Sequence, residues 1–223
     1  MRLKSITIFF LFVSLLTLTL GCWQLYRLNW KNDLIDNINS SITNPDFFSQ
    51  EIVDYNELTA VKLNNKYKAK NQPIFIESKT YQNKVGYHGI IPLFFNDEIY
   101  SVLNLGWFPD KNENDIEKII NKFNQKRDVT VYLRFLTSKK NLFIPENNLA
   151  SNTWFSINHD DLEKYFQDTI ISPYYFVILD SEIKFDSNPI VFLRNNHLNY
   201  SITWFLLSLS SIVMILIIRR KNE

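Results

Sequence analysis

Residues 20–31 read "LGCWQLYRLNWK": an apolar run ends on a lone cysteine and turns at once aromatic and basic. Cys22 is either a cleavage and lipidation point closing a signal peptide, or one residue near the outer end of a helix that stays in the membrane. A lipoprotein signal wants an apolar residue, usually Leu, three before the cysteine; Thr19 stands there, and bulky Leu20 fits poorly beside Gly21. The uncharged run, residues 5–26, exceeds a signal core and suffices to cross about 30 Å of hydrocarbon at ~1.5 Å per residue. Trp23 and Tyr26 have the placement of an interfacial aromatic belt, with Arg27 reaching for headgroups. The stretch therefore reads as the rim of a transmembrane helix, with Cys22 a small buried residue near its end.

A second uncharged run, residues 198–218, is long enough to span as well. Arg2 and Lys4 precede the first run, and Arg219, Arg220 and Lys221 follow the second, so both basic tails are expected in the cytoplasm and the middle of the chain outside. Arg27 and Lys31 oppose this, but long domains translocate largely regardless of charge. Thr7, Ser14, Thr17, Gly21 and Gln24 fall on one stripe of the first helix. His197, Ser201, Trp204, Ser208 and Ser211 fall on one stripe of the second. Lipid gives helices no hydrophobic reason to meet, so small residues that permit close approach, and hydroxyls and amides that bond across, predict an antiparallel seam here. That seam would set His197 at the same outer rim as Gly21 and Gln24.

The chain is divided accordingly into residues 1–26, tail and first span; 27–196, an outward-facing domain; and 197–223, second span and basic tail. Among 223 residues, 24 basic and 23 acidic side chains give a net charge of +1, which offers no general attraction to nucleic acid. One cysteine excludes an intrachain disulfide, and no Cys-x-x-Cys or His/Cys cluster is available for zinc or copper.

Within the domain, Trp30, Leu34 and Ile38 carry the first helix past the membrane. Val61, Leu63, Asn65, Tyr67 and Ala69 alternate as a half-buried strand would, with Asn65 marking a turn. Residues 74–77, 87–94 and 99–105 read as further strands, the last two joined at "NDE". Ile116, Ile119, Ile120 and Phe123 form one helical face behind polar capping residues. Val129, Val131, Leu133 and Phe135 alternate again, "NHDDLEKYF" reads as a short capped helix, and residues 174–179 as an apolar strand. The fold class is α+β: two transmembrane helices flanking an extramembrane domain with a mainly antiparallel β-sheet and short helices.

Chemistry is sparse. No phosphate-cradling loop, nucleophile elbow or arguable carboxylate pair is present, so no enzymatic activity is expected. His159 reads as part of a polar first turn facing water, and His88 as a buried, hydrogen-bonded turn histidine at a strand start. His197 differs, because an ionisable group at the mouth of a membrane helix is a functional candidate. A neutral imidazole at an apolar, aromatic rim suits axial ligation of heme iron, with Trp204 and Phe205 as walls; the alternative is a histidine bonded to Gln24 or to lipid headgroups.

In order along the chain, "LGCWQLYRLNWKNDLI", "GYHGIIPL", "LNLGWFPD", "IPENNLASNTWF" and "RNNHLNYSITWF" resemble the signature of the Surfeit locus protein 1 family of cytochrome c oxidase assembly factors. The resemblance implies two membrane helices around an outward domain that lacks catalytic apparatus. The residue at the Cys22 position varies in the family, so lipidation is not implied. What is implied is help in building the heme-bearing subunit I, some bacterial members being similar to heme a carriers. The ligand role, binding both cofactor and its metal, then falls on His197. Implied partners are cytochrome c oxidase subunit I, heme a synthase and the lipid bilayer, with no nucleic acid; a cofactor-free scaffold steadying an oxidase subunit is the alternative. The implied location is the bacterial inner membrane, multi-pass with a periplasmic central domain, or the mitochondrial inner membrane for an organellar chain. Two departures stand out. Leu105 stands where the family commonly has Arg, which puts a partner contact in doubt, and Asn158 stands where many members have Asp, which still permits a helix cap. Trp107, Pro109, Pro145, Asn147, Asn148 and Trp154 match and read as turn and core residues.

Overall fold

The computed structural model describes residues 2–51, 54–139, 141–180, 182–183 and 195–221, with side chains from residue 5 onward. The side chains of Arg2 and Lys4, and Arg194 of the "RNNH" stretch, lie outside the described residues. The chain forms two compact units, Met1–Asn37 with Leu193–Glu223, and Ile38–Phe192.

The first unit is a helical hairpin. Helix α1, Arg2–Thr43, has 42 residues, about 63 Å at ~1.5 Å per residue, so it exceeds a hydrocarbon core of about 30 Å. Its last turns, from Ile38, belong to the second unit. Both α1 and the C-terminal helix are long and apolar enough to cross a membrane. Their polarity is inverted relative to a soluble protein. In the C-terminal helix the buried residues are Ser201, Ser208 and Ser211, while Leu206 and Leu209 are more than half exposed. In α1, Ser14 and Thr17 are buried while Phe9, Phe12 and Leu15 are about 60% exposed. Helices that hide hydroxyls and present Phe and Leu fit a hydrocarbon solvent and not water. Cys22 is exposed, which corrects its expected burial: Gly21 occupies the seam, and the next residue turns about 100° away from it.

The second unit holds an eight-stranded mixed sheet. Its strands are β1 (Asp46–Phe47), β2 (Ala60–Asn64), β3 (Tyr67–Ala69), β4 (Ile74–Tyr81), β5 (Lys84–Phe95), β6 (Glu98–Phe108), β7 (Asp128–Phe135) and β8 (Tyr174–Ile178). Helix α2 (Glu113–Gln125) follows β6, α3 (His159–Phe166) follows β7, and α4 (His197–Arg220) is the second membrane helix. The order is β1-β2-β7-β8-β6-β5-β3, with β4 also pairing β5. Among the strand pairs of the described residues, β1–β2 and β6–β8 are parallel and the rest antiparallel.

Turn chemistry sets the hairpins. Asn96 and Asp97 both have positive φ (52° and 66°) between the paired Phe95 and Glu98, the left-handed two-residue turn that matches strand twist. Gln82 and Asn83 repeat it (47° and 62°) between Tyr81 and Lys84, joining β4 to β5. The expected strand across Asn65 divides there: β2 pairs β7, whereas β3 crosses to β5. Helix α2 buries Ile116, Ile119, Ile120 and Phe123, and Asn112 caps it by accepting from the Asn114 N–H. These four residues join Leu63, Ile91, Leu103, Leu105, Val131, Leu133 and Phe176 in the main core. Leu105 is fully buried there, so an arginine at this position would meet apolar side chains and not a partner surface. A second cluster gathers around the fully buried Trp154 and Leu162 of α3.

Candidate functional site

The serine stripes of α1 and α4 meet. Ser14 Oγ and Ser208 Oγ are 3.1 Å apart, and Ser208 Oγ also donates to the Ser14 carbonyl at 3.0 Å. Two turns outward, Ser201 Oγ donates to the Gly21 carbonyl at 3.1 Å. Further out, His197 Nδ1 lies 2.7 Å from Gln24 Oε1. The partner numbers fall on α4 as they rise on α1, so the helices run antiparallel. Thr17 and Ser211 satisfy their hydroxyls on carbonyls of their own helices. Gly21 is required by contact: a Cβ there would stand 2.6 Å from Cε1 of Phe205, well inside a normal carbon–carbon distance.

His197 occupies the first position of α4. Its own N–H is met by Asn195 Oδ1 at 3.4 Å, and Asn195 Nδ2 donates to Asn32 Oδ1 at 2.8 Å, tying the start of α4 to α1. Arg27 lies over the Trp30 ring, 4.3 Å from its centroid. Where the Gln24 amide oxygen accepts from Nδ1 of a neutral ring, Nε2 is the nitrogen left for coordination. Nε2 has no hydrogen-bond partner among the described residues. This is the arrangement that iron ligation by histidine needs: one nitrogen fixed by an oxygen acceptor, the other free to coordinate. The residues present are compatible with an axial ligand, and the Gln24 bond is the contact expected under the alternative reading of a hydrogen-bonded histidine.

The other histidines lie elsewhere. His88 is within β5 opposite Trp107, not at a turn, because β5 begins earlier, at Lys84. Its Nδ1 is 3.4 Å from Asn104 Nδ2, and burial, with the nearby Lys79 charge, pushes its pKa down to about 4. His159 opens α3 at 3.7 Å from both Asp160 and Glu163, and Asn158 caps that helix by accepting from the Asp161 N–H. Among the described residues no three His, Cys, Asp or Glu side chains gather as a metal site. Asn147 is structural: its Oδ1 accepts from the N–H groups of Phe155 and Ser156, and its Nδ2 donates to Asp161 Oδ2 at 2.9 Å. Sequence pattern placed Gln24 and His197 at one rim but missed the Asn32–Asn195 tie; its trace is the doubled Asn before His197.

A model of the SURF1 family matches residues 11–209. The chain belongs to that family. It is 25% identical over 225 residues to a "SURF1-like protein" of Rickettsia conorii, covering 96% of this chain and 92% of that one. A similar protein of Rickettsia prowazekii is 27% identical over 96% of this chain and 90% of its own length. "Surfeit locus protein 1" of Gallus gallus is 26% identical over 87% of this chain and 69% of its own. Membership in the SURF1 family carries a role in the cytochrome c oxidase assembly pathway, as a membrane-associated assembly factor and not a known enzyme.

Proposed function

We propose that this SURF1-family protein holds or hands over heme a for subunit I of cytochrome c oxidase, near the outer face of the bacterial inner membrane. The observation that carries the reading is the His197–Gln24 pair at the rim of the helix seam, with Nδ1 tied at 2.7 Å and Nε2 free. His197 would ligate the iron through Nε2, and Gln24 would orient the ring and raise its basicity. Heme a, as cargo, would supply the iron that this nitrogen meets. The apolar outer faces of α1 and α4 suit a bilayer, and the basic residues Arg219 and Arg220 in the last turn of α4 support a cytoplasmic end, which leaves the central domain periplasmic. Subunit I and heme a synthase are the partners this role calls for.

The test is to purify the full chain from cells that make heme a and record its visible spectrum, with and without His197→Ala. A heme band in the wild type that is shifted or lost in the variant supports ligation. An unaltered band removes His197 from the mechanism. Co-purification of subunit I with no heme in either protein would favour a cofactor-free scaffold instead.

A further inference from the structure

The second face of the sheet carries a groove that has no part in the proposed heme role. In β7, Tyr132 and Arg134 alternate with the core residues Val131 and Leu133, so they point away from α2. In β8, Tyr175 alternates with Phe176 and Ile178, and in β6 Asn104 alternates with Leu103 and Leu105. With His88 of β5 and Lys79 of β4, these side chains line a cavity of about 700 Å³ across five adjacent strands. The size lies within the range of small-molecule sites.

The lining is rich in donors that nothing in the fold uses. Tyr132 is buried, and neither its hydroxyl nor that of Tyr175 has a hydrogen-bond partner among the described residues. Burial pushes the Tyr132 pKa up to about 12, so the group stays a donor at neutral pH. Arg134 uses only its Nε, donating to Glu57 at 2.9 Å, and that pair cancels its own charge. Lys79 makes a single long contact, 3.5 Å to the Phe155 carbonyl, and no ion pair among the described residues. In the open groove these donors meet water, which an oxyanion can displace while reproducing its hydrogen bonds. Lys139 at the rim adds a second uncancelled positive charge. Phe155, Ile157 and Ile76 give the same cavity apolar walls.

We propose that this groove binds a small organic anion, its oxyanion head met by Lys79, Tyr132, Tyr175 and the free edge of Arg134, its apolar body against Phe155 and Ile157. Carboxylate and phosphate heads share this chemistry. The site stands apart from the proposed heme role, and its test involves no heme.

The experiment uses the full chain in detergent micelles and ¹⁹F NMR of 4-fluorobenzoate, with 4-fluorobenzyl alcohol as the uncharged analogue and empty micelles as the blank. Saturable broadening of the benzoate, at least tenfold tighter than the alcohol, is expected. Lys79→Gln and Tyr175→Phe should each weaken it several-fold while near-UV circular dichroism is unchanged. Competition by sodium acetate or by inorganic phosphate supports the site and tells which head it prefers. Equal binding of benzoate and alcohol in the wild type overturns the proposal even if the variants fail to fold. Undiminished benzoate binding in folded Lys79→Gln overturns it as well.

Discussion

Adding one methyl group to the seam measures how closely the membrane helices approach. In Gly21→Ala the new carbon would lie 2.6, 2.8 and 3.0 Å from three atoms of the Phe205 ring. Carbon atoms in good contact sit at ~3.5–4.0 Å, so the helices must part by about 1 Å or the ring must leave its place. Overpacking of this kind costs about 1–3 kcal/mol. Parting would also stretch the Ser201–Gly21 bond beyond its 3.1 Å, and such interhelical bonds contribute about 0.6 kcal/mol. Against this, alanine is favoured over glycine within a helix by ~1 kcal/mol. The balance is a destabilisation of about 1–2 kcal/mol. Reversible unfolding of the full chain by SDS in mixed micelles reads it, and a cycle with Phe205→Ala isolates the cause. With the ring removed, Gly21→Ala should become neutral or stabilising, a coupling of about 2 kcal/mol. If the methyl costs the same in both backgrounds, the ring does not pack on Gly21 and the seam is wrongly described.

Other perturbations address the outer domain. His88 is held neutral, its pKa pushed from 6.5 to about 4 mainly by burial and secondarily by Lys79, so the unfolded chain takes up a proton there before the folded one does. The sign follows: this contribution is complete above pH 6.5 and is lost as pH falls towards 4, by up to about 3 kcal/mol. In denaturant titrations, the stability difference between His88→Gln and wild type should therefore shift in the variant's favour by up to about 3 kcal/mol as pH falls from 7 to 4, and a constant difference over that range would contradict the burial. Asn147→Ala removes the acceptor of two backbone N–H groups and the donor to Asp161, and should cost about 2–4 kcal/mol, read as a fall in Tm of the full chain. Asn158→Ala should cost about 1 kcal/mol through loss of the α3 cap, measured in the same way; no change in Tm would show that the cap is idle.

The parts of the fold governed by local periodicity were legible in the residues. The four apolar positions of α2, Val129, Val131 and Leu133 of β7 and the polar stripes of α1 and α4 each follow from one element's geometry and face as their spacing requires, whereas Phe135, the last of the β7 alternation, is exposed at the strand end. Ser14, Gly21 and Gln24 meet Ser208, Ser201 and His197 because lipid leaves only close approach and polar bonds to hold helices together. Three things were not legible. Strand β4 runs on through Ser78, Lys79 and Thr80, whose polarity hides a strand that is held by its pairing with β5. Leu105 lies in a strand buried on both faces, where alternation gives no clue to orientation. The donors of the groove come from positions 79 to 175 on five strands, and only the sheet order β7-β8-β6-β5 with β4 beside β5 makes them neighbours.

The antiparallel hairpin that brings Gln24 to His197 is tested most directly by a disulfide across its middle. Ser14 Oγ and Ser208 Oγ are 3.1 Å apart, close enough that sulfur atoms in their places can bond with little backbone movement. In a Cys22→Ser background, Ser14→Cys with Ser208→Cys should oxidise to a single-chain species, seen as a faster monomer band on a non-reducing gel. A mixture of reduced monomer and disulfide-linked dimer, with no intrachain product, would contradict the hairpin and remove the basis for the His197 site.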